Sequence, residues 1–219
     1  MIDFVTLRRN MVNGQVRTNG VTDPALIAAL MEIPREAFVP ESQRALAYRD
    51  DDLPIGGEGP RYLLEPLTLA RMIQALNLQP GERVLDVGCG SGYAAALLAR
   101  LAQSVVALEA DPVLSGEAAR LLDRLAAGNA TVAAGPLAAG WPKAGPFDAI
   151  LVEGAVEDVP QALFGQLKDN GRLIAVVGCG GSGRAVLYRA LGRTISSQAL
   201  FNAAIPALPG FEKPKGFVF

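Results

Sequence analysis

An α/β fold built on a doubly wound, mostly parallel sheet is predicted by three observations. From Arg83 onward, short apolar runs alternate with segments of helical period. The first run, "RVLDVG", is almost continuously apolar, as in a central strand buried on both faces. A glycine-rich turn follows it and leads straight into a helix pattern, "YAAALLARLA".

The remaining elements follow in order. "VTDPALIAALMEI" starts a helix, with Thr22 or Asp23 as N-cap and Pro24 in the first turn. "PREAFVPESQRALAY" is broken by Pro34 and Pro40 into short helical pieces. "PIGGEGPRYLLEP", Pro54 to Pro66, matches neither period and is expected to be an irregular loop. "LTLARMIQALNL" is helical and stops at a Pro-Gly turn. After the glycine turn come strand "SVVALEA", helix "SGEAARLLDRLA", strands "ATVAAG" and "FDAILVEG", helix "VPQALFGQL" and strand "GRLIAVVG". "RAVLYRALGRTISSQALF" turns at Gly192-Arg193, an antiparallel hairpin at the sheet edge. Residues 1–66 form an N-terminal helical extension and loop of the same domain, and residues 67–219 its main body. The tail "FNAAIPALPGFEKPKGFVF" is apolar and proline-rich, and is expected to pack on the domain or a neighbour.

Composition narrows the chemistry. The 219 residues carry a net charge of −2, which offers no basic face to a nucleic-acid backbone. The chain has no histidine, so an imidazole base is excluded and so is a Cys/His metal site; no metal is expected. Cys89 and Cys179 are expected to be small buried thiols of a reducing compartment. The N-terminus carries no signal-like apolar stretch and no run approaches a membrane span, which implies a cytoplasmic, membrane-free protein. Nothing in the sequence specifies the oligomeric state.

"VLDVGCGSGY" is the most informative stretch. Asp86 lies in the strand, and Gly88, Gly90 and Gly92, interleaved with Cys89, let the backbone pass close to a ligand. A dinucleotide cradle needs a third glycine one place later, where Tyr93 stands, so a nucleoside is the better fit. Glu109 ends the next strand, where a carboxylate can accept both hydroxyls of a ribose. A second cluster, "GCGGSG" at 178–183, matches G-x-G-x-x-G by letter. A strand pattern follows it and no acid arrives where a ribose partner belongs, so it is expected to be a hairpin entry.

Asp-x-G-x-G-x-G with a strand-terminal acid resembles the S-adenosylmethionine-dependent methyltransferases. "IPREAFVPESQRALAYRDDDLPIG", "RVLDVGCGSGYAAALLA" and "WPKAGPFDAILVEGAVEDVPQALFGQLKDNGRLIAVVG", in that order, resemble the protein-L-isoaspartate O-methyltransferase family over roughly residues 26–178. The resemblance implies a seven-stranded Rossmann-like methyltransferase sheet, S-adenosyl-L-methionine as cofactor, and methyl transfer to a carboxylate of damaged aspartyl residues in proteins. It also implies that the opening loop faces the substrate. There the family's G-Q-T-I-S-x-P places Arg61 over glutamine, Tyr62 over threonine, Leu64 over serine and Glu65 at the variable position. Pro136 stands over a family acid near the adenine, leaving backbone near Leu137 as the base contact, and Glu153 stands over a family threonine. Glu65 and Glu153 are either solvated loop acids or acids of the acceptor pocket. Two further readings stay open: a methyltransferase with a different peptide or small-molecule acceptor, and a catalytically silent cofactor-binding protein.

Overall fold

Helix α1 (Phe4–Met11) opens the chain and α2 (Pro24–Glu32) follows, with the Asp23 side chain capping the Ala25 and Leu26 amides. The computed structural model describes residues 2–125, 127–178 and 180–212. Pro34 and Pro40 each precede a 3₁₀ turn, the short pieces expected there. The loop at 54–66 is more ordered than its sequence suggests. Strands β1 (Leu53–Pro54) and β2 (Tyr62–Leu63) pair antiparallel across it, so its ends are tied together. Period was no guide, because each strand is only two residues long.

Helix α3 (Pro66–Leu76) then leads to β3 (Arg83–Val87), α4 (Tyr93–Leu98), β4 (Ser104–Glu109), α5 (Pro112–Arg124) and β5 (Ala130–Ala134). Strand β6 (Phe147–Val156), α6 (Gln161–Phe164), β7 (Leu167–Val177), β8 (Arg184–Leu191) and β9 (Thr194–Asn202) complete the helices and strands among the described residues. The helix expected across 159–167 is a single turn, ended at Gly165, because Leu167 already pairs with Phe147 in the sheet.

The seven strands lie in the order β5-β4-β3-β6-β7-β8-β9. The first five are parallel, and β8 and β9 add the antiparallel edge hairpin. Strand order reverses at β3: the chain runs outward to β4 and β5, then returns to β6 on the other side. The carboxyl ends of β3, β4 and β6 therefore border the crevice where ligands of such sheets bind.

Apolar clusters fill both faces. One joins Leu26, Leu30, Phe38 and Leu64 of the N-terminal region to Met72, Tyr93, Leu97 and Ile174. The other holds Leu85, Val87, Phe147, Val152 and Leu173, with Leu208 and Phe211 of the tail. The described part of the tail thus packs on the domain, with Ala207 in a parallel bridge beside Ala155 of β6. The "GCGGSG" segment is a 3₁₀ turn at Gly180–Ser182 that enters β8, whereas Cys179 and residues 213–219 lie outside the described residues.

Candidate active site

The turn after β3 is held by its neighbour, with Gly88 and Cys89 amides both donating to the Leu108 carbonyl (2.8 and 3.1 Å). Gly88, Gly90 and Gly92 have φ of +80°, +55° and +94°, a region L side chains seldom adopt. At Gly92 a β-carbon would lie 3.1 Å from that of Ala118, so this glycine also sets the approach of α5. Cys89 is buried in the turn, and burial pushes its thiol well above its ordinary range. It is no nucleophile at neutral pH.

Glu109, fully buried at the end of β4, is where the sequence places a ribose partner. Its carboxylate already has five donors. Oε1 accepts from the Ala110 and Asp111 amides (2.8 and 3.0 Å) and from Arg61 Nη1. Oε2 accepts from the Gly90 amide (2.7 Å) and from Arg61 Nη2 (2.8 Å). Arg61 Nη2 also donates to the Gly88 carbonyl at 2.9 Å. The guanidinium, 6% exposed, thus spans the acid and the turn in a bidentate pair.

Behind it lie two more acids. Asp86 is fully buried on β3 and Glu153 is 7% exposed on β6. Among the described residues no N–H or hydroxyl group reaches either oxygen of Asp86; the Glu153 carboxyl is its titratable neighbour. Burial pushes Asp86 up to about 7, and burial together with the Asp86 charge drives Glu153 well above the carboxylate range. Burial and mutual repulsion therefore favour the protonated form of this pair over two carboxylates. Glu153 is no solvated loop acid.

The loop residues separate into two groups. Arg61, half-buried Tyr62 and Leu64 line one small cavity with Pro60, Glu153 and Leu208. Leu64 is 1% exposed and is a core anchor contributing roughly 1.5–3 kcal/mol. Glu65 does not join them. It precedes α3, where its carboxylate accepts from the Thr68 hydroxyl and its amide donates to Asp52 (2.9 Å). Leu137 is buried in a 3₁₀ turn beyond β5, against the second apolar cluster.

The residue set fits a nucleoside: an acceptor pair on Glu109 and, beside it, a turn with no β-carbon at Gly88, Gly90 or Gly92. The space is filled by the protein itself. A β-carbon on Gly88 would lie 2.8 Å from Leu208 Cδ1 and 3.4 Å from Arg61 Nη2, and one on Gly90 would lie 2.6 Å from Ile55 Cδ1. The cavity at Arg61 and Glu153 measures about 10 Å³, far below the roughly 300–1,000 Å³ of ordinary small-molecule pockets. Sequence reasoning missed Ile55 and Leu208 as the cover, and Arg35 as the support of the loop. Ile55 and Leu208 are plain apolar residues of proline-rich segments, and pattern gives no hint of what they rest on. The arginine two places after "GEG", in a loop otherwise apolar or acidic, was the available signal for Arg61.

The family model for Protein-L-isoaspartate(D-aspartate) O-methyltransferase (PCMT) matches residues 7–201. Among curated relatives, the Methylorubrum extorquens protein-L-isoaspartate O-methyltransferase is 46% identical over 80% of this chain and 76% of its own length. The Roseiflexus protein of that name is 40% identical over 95% of this chain and 94% of its own length. A solved protein-L-isoaspartate O-methyltransferase superposes with a TM-score of 0.83 at 28% identity, covering 93% of this chain and 67% of that one. A Plasmodium falciparum structure in complex with S-adenosyl-L-homocysteine has a TM-score of 0.78 at 21% identity over 96% of this chain, a likeness of fold.

Proposed function

Since the chain belongs to the protein-L-isoaspartate(D-aspartate) O-methyltransferase family, we propose that it is an S-adenosyl-L-methionine-dependent protein carboxyl methyltransferase acting on damaged aspartyl residues. One structural observation carries the reading: the glycine turn after β3 and the Glu109 carboxylate meet at the strand-order reversal of a seven-stranded sheet. Gly88, Gly90 and Glu109 would hold the cofactor, which supplies a methyl group on a sulfonium leaving group. The acceptor is an anion at neutral pH and needs no base to become a nucleophile. A chain without histidine is therefore equipped for it, because the demand is for alignment; positioning can supply roughly 7–11 kcal/mol of a barrier.

The acceptor side of the site is Arg61, Tyr62, Leu64 and Glu153. Leu64 excludes water but offers no donor. Burial favours the neutral form of Glu153, which lessens the negative charge facing an anionic acceptor. Arg61 is the cation of this cluster and, as arranged, is committed to Glu109. The protein or peptide substrate, and action in the cytoplasm, follow from the family reading.

Incubation with methyl-labelled S-adenosylmethionine and an isoaspartyl peptide, beside its normal aspartyl twin, tests the proposal. Base-labile label on the isoaspartyl peptide alone is the expected result. Absence of label on that peptide, with cofactor bound, overturns it.

A further inference from the structure

We propose that Arg61 is a built-in occupant of the cofactor's ribose subsite, and that its departure from Glu109 sets the affinity for S-adenosyl nucleosides. The proposal rests on the reading of Glu109 and the glycine turn as the cofactor site. Two parallel N–H groups of a guanidinium present a carboxylate with the same pair of donors as two adjacent ribose hydroxyls. Arg61 makes that pair with Glu109, Nη2 to Oε2 at 2.8 Å and Nη1 to Oε1. It then turns the remaining donor capacity of Nη2 on the Gly88 carbonyl. Glu109 has no further room for donors, since three backbone amides already reach it.

The occupation is built from two sides. Ile55 and Arg61 come from the loop clamped by the β1–β2 pair, and its tip is fastened by the Glu58 amide donating to Asp111. Leu208 comes from the tail, fixed by its amide to the Ala155 carbonyl and by the Ala155 amide to the Pro206 carbonyl, both 2.8 Å. A nucleoside must displace a buried ion pair before it can reach the acid. A neutral side chain at 61 removes that competition. It leaves Glu109 solvated by the Gly90, Ala110 and Asp111 amides, so the acid is not orphaned by the change.

The test is isothermal titration of the full chain with S-adenosylhomocysteine, for wild type, Arg61→Gln, Glu109→Ala and the Arg61→Gln/Glu109→Ala double variant, with circular dichroism confirming the fold of each. Arg61→Gln is expected to bind at least tenfold more tightly than wild type, and the double variant to lose that gain. Dependence of the gain on Glu109 is what general loosening of the loop would not produce. Wild type and Arg61→Gln binding with equal affinity would overturn the proposal and leave the proposed function standing. A gain that survives in the double variant overturns it as well. If neither wild type nor Arg61→Gln binds, the occupant proposal and the cofactor reading fall together.

Discussion

Arg35, fully buried, donates from Nη2 to the Leu64 carbonyl at 2.7 Å and from Nε to the Ala47 carbonyl at 2.6 Å. Its guanidinium carbon lies 5.0 Å from the Tyr93 ring centroid, so one side chain ties the loop, the preceding 3₁₀ segment and α4 together. Arg35→Ala strips both carbonyls of a charged donor and opens a void. A loss of about 3 kcal/mol is expected from urea unfolding, with Arg35→Lys losing less because one charged donor is kept.

The Asp86–Glu153 pair gives the protein a pH dependence of predictable sign. Asp86 has a usual value of 3.8 in the unfolded chain and is pushed up to about 7 by burial in the folded one. Between those values the folded state binds more protons, so stability falls as pH rises, and the loss is complete above about 7. Glu153, raised well above its usual 4.5, extends the trend to higher pH, and Asp52, raised to about 6 by burial, adds to its lower part. Glu82, Asp111 and Asp148 are depressed and act only below this window, where acidification weakens them. The melting temperature should therefore be lower at pH 8.5 than at pH 5.5, by about 2–4 °C for each kcal/mol involved. Glu153→Gln, which can donate to an ionised Asp86, should flatten the profile in a calorimetric series.

Gly154 controls the seat of the tail. A β-carbon there would lie 2.7 Å from Leu208 Cβ and 3.2 Å from its Cα and amide nitrogen, so backbone must move. Gly154→Ala should raise amide exchange at Ala155 and Leu208 at least tenfold, about 1.4 kcal/mol of local opening. Exchange at Leu85 and Ile150, deep in the sheet, should not change.

Asp111 serves two segments. Oδ1 accepts the Val113 and Leu114 amides (2.8 and 3.0 Å) at the start of α5, and Oδ2 accepts the Glu58 amide at the loop tip. Against partial burial, these backbone donors hold its carboxyl below the usual range. Asp111→Ala should lower stability by about 1 kcal/mol. Faster cleavage after Glu58 by a glutamate-specific protease would report the freed tip.

Much of this was legible in the sequence, and the rest was hidden for a definite reason. The central strands declared themselves because burial on both faces demands nearly continuous apolar runs, as in "RVLDV" and "AILV". Gly88, Gly90, Gly92 and Glu109 were legible because backbone conformation and strand-end position restrict which residues can stand there. The pairing of Arg61 with Glu109 was not, since the two are 48 residues apart and nothing in local pattern encodes a partner at that distance. The burial of Glu153 was hidden likewise: "VEGA" looks like the end of a strand, whereas β6 runs on to Val156 and the tail then covers it.

The cover over the glycine turn comes from sequence on both sides of it, and this orders events in time. A ribosome delivers Ile55 and Arg61 before the turn but Leu208 long after it, by on the order of ten seconds at usual elongation rates. Throughout that interval β7 is incomplete or newly made, and the turn has only one of its two lids. Of the residues that cover the turn, Leu208 is therefore the last to be made.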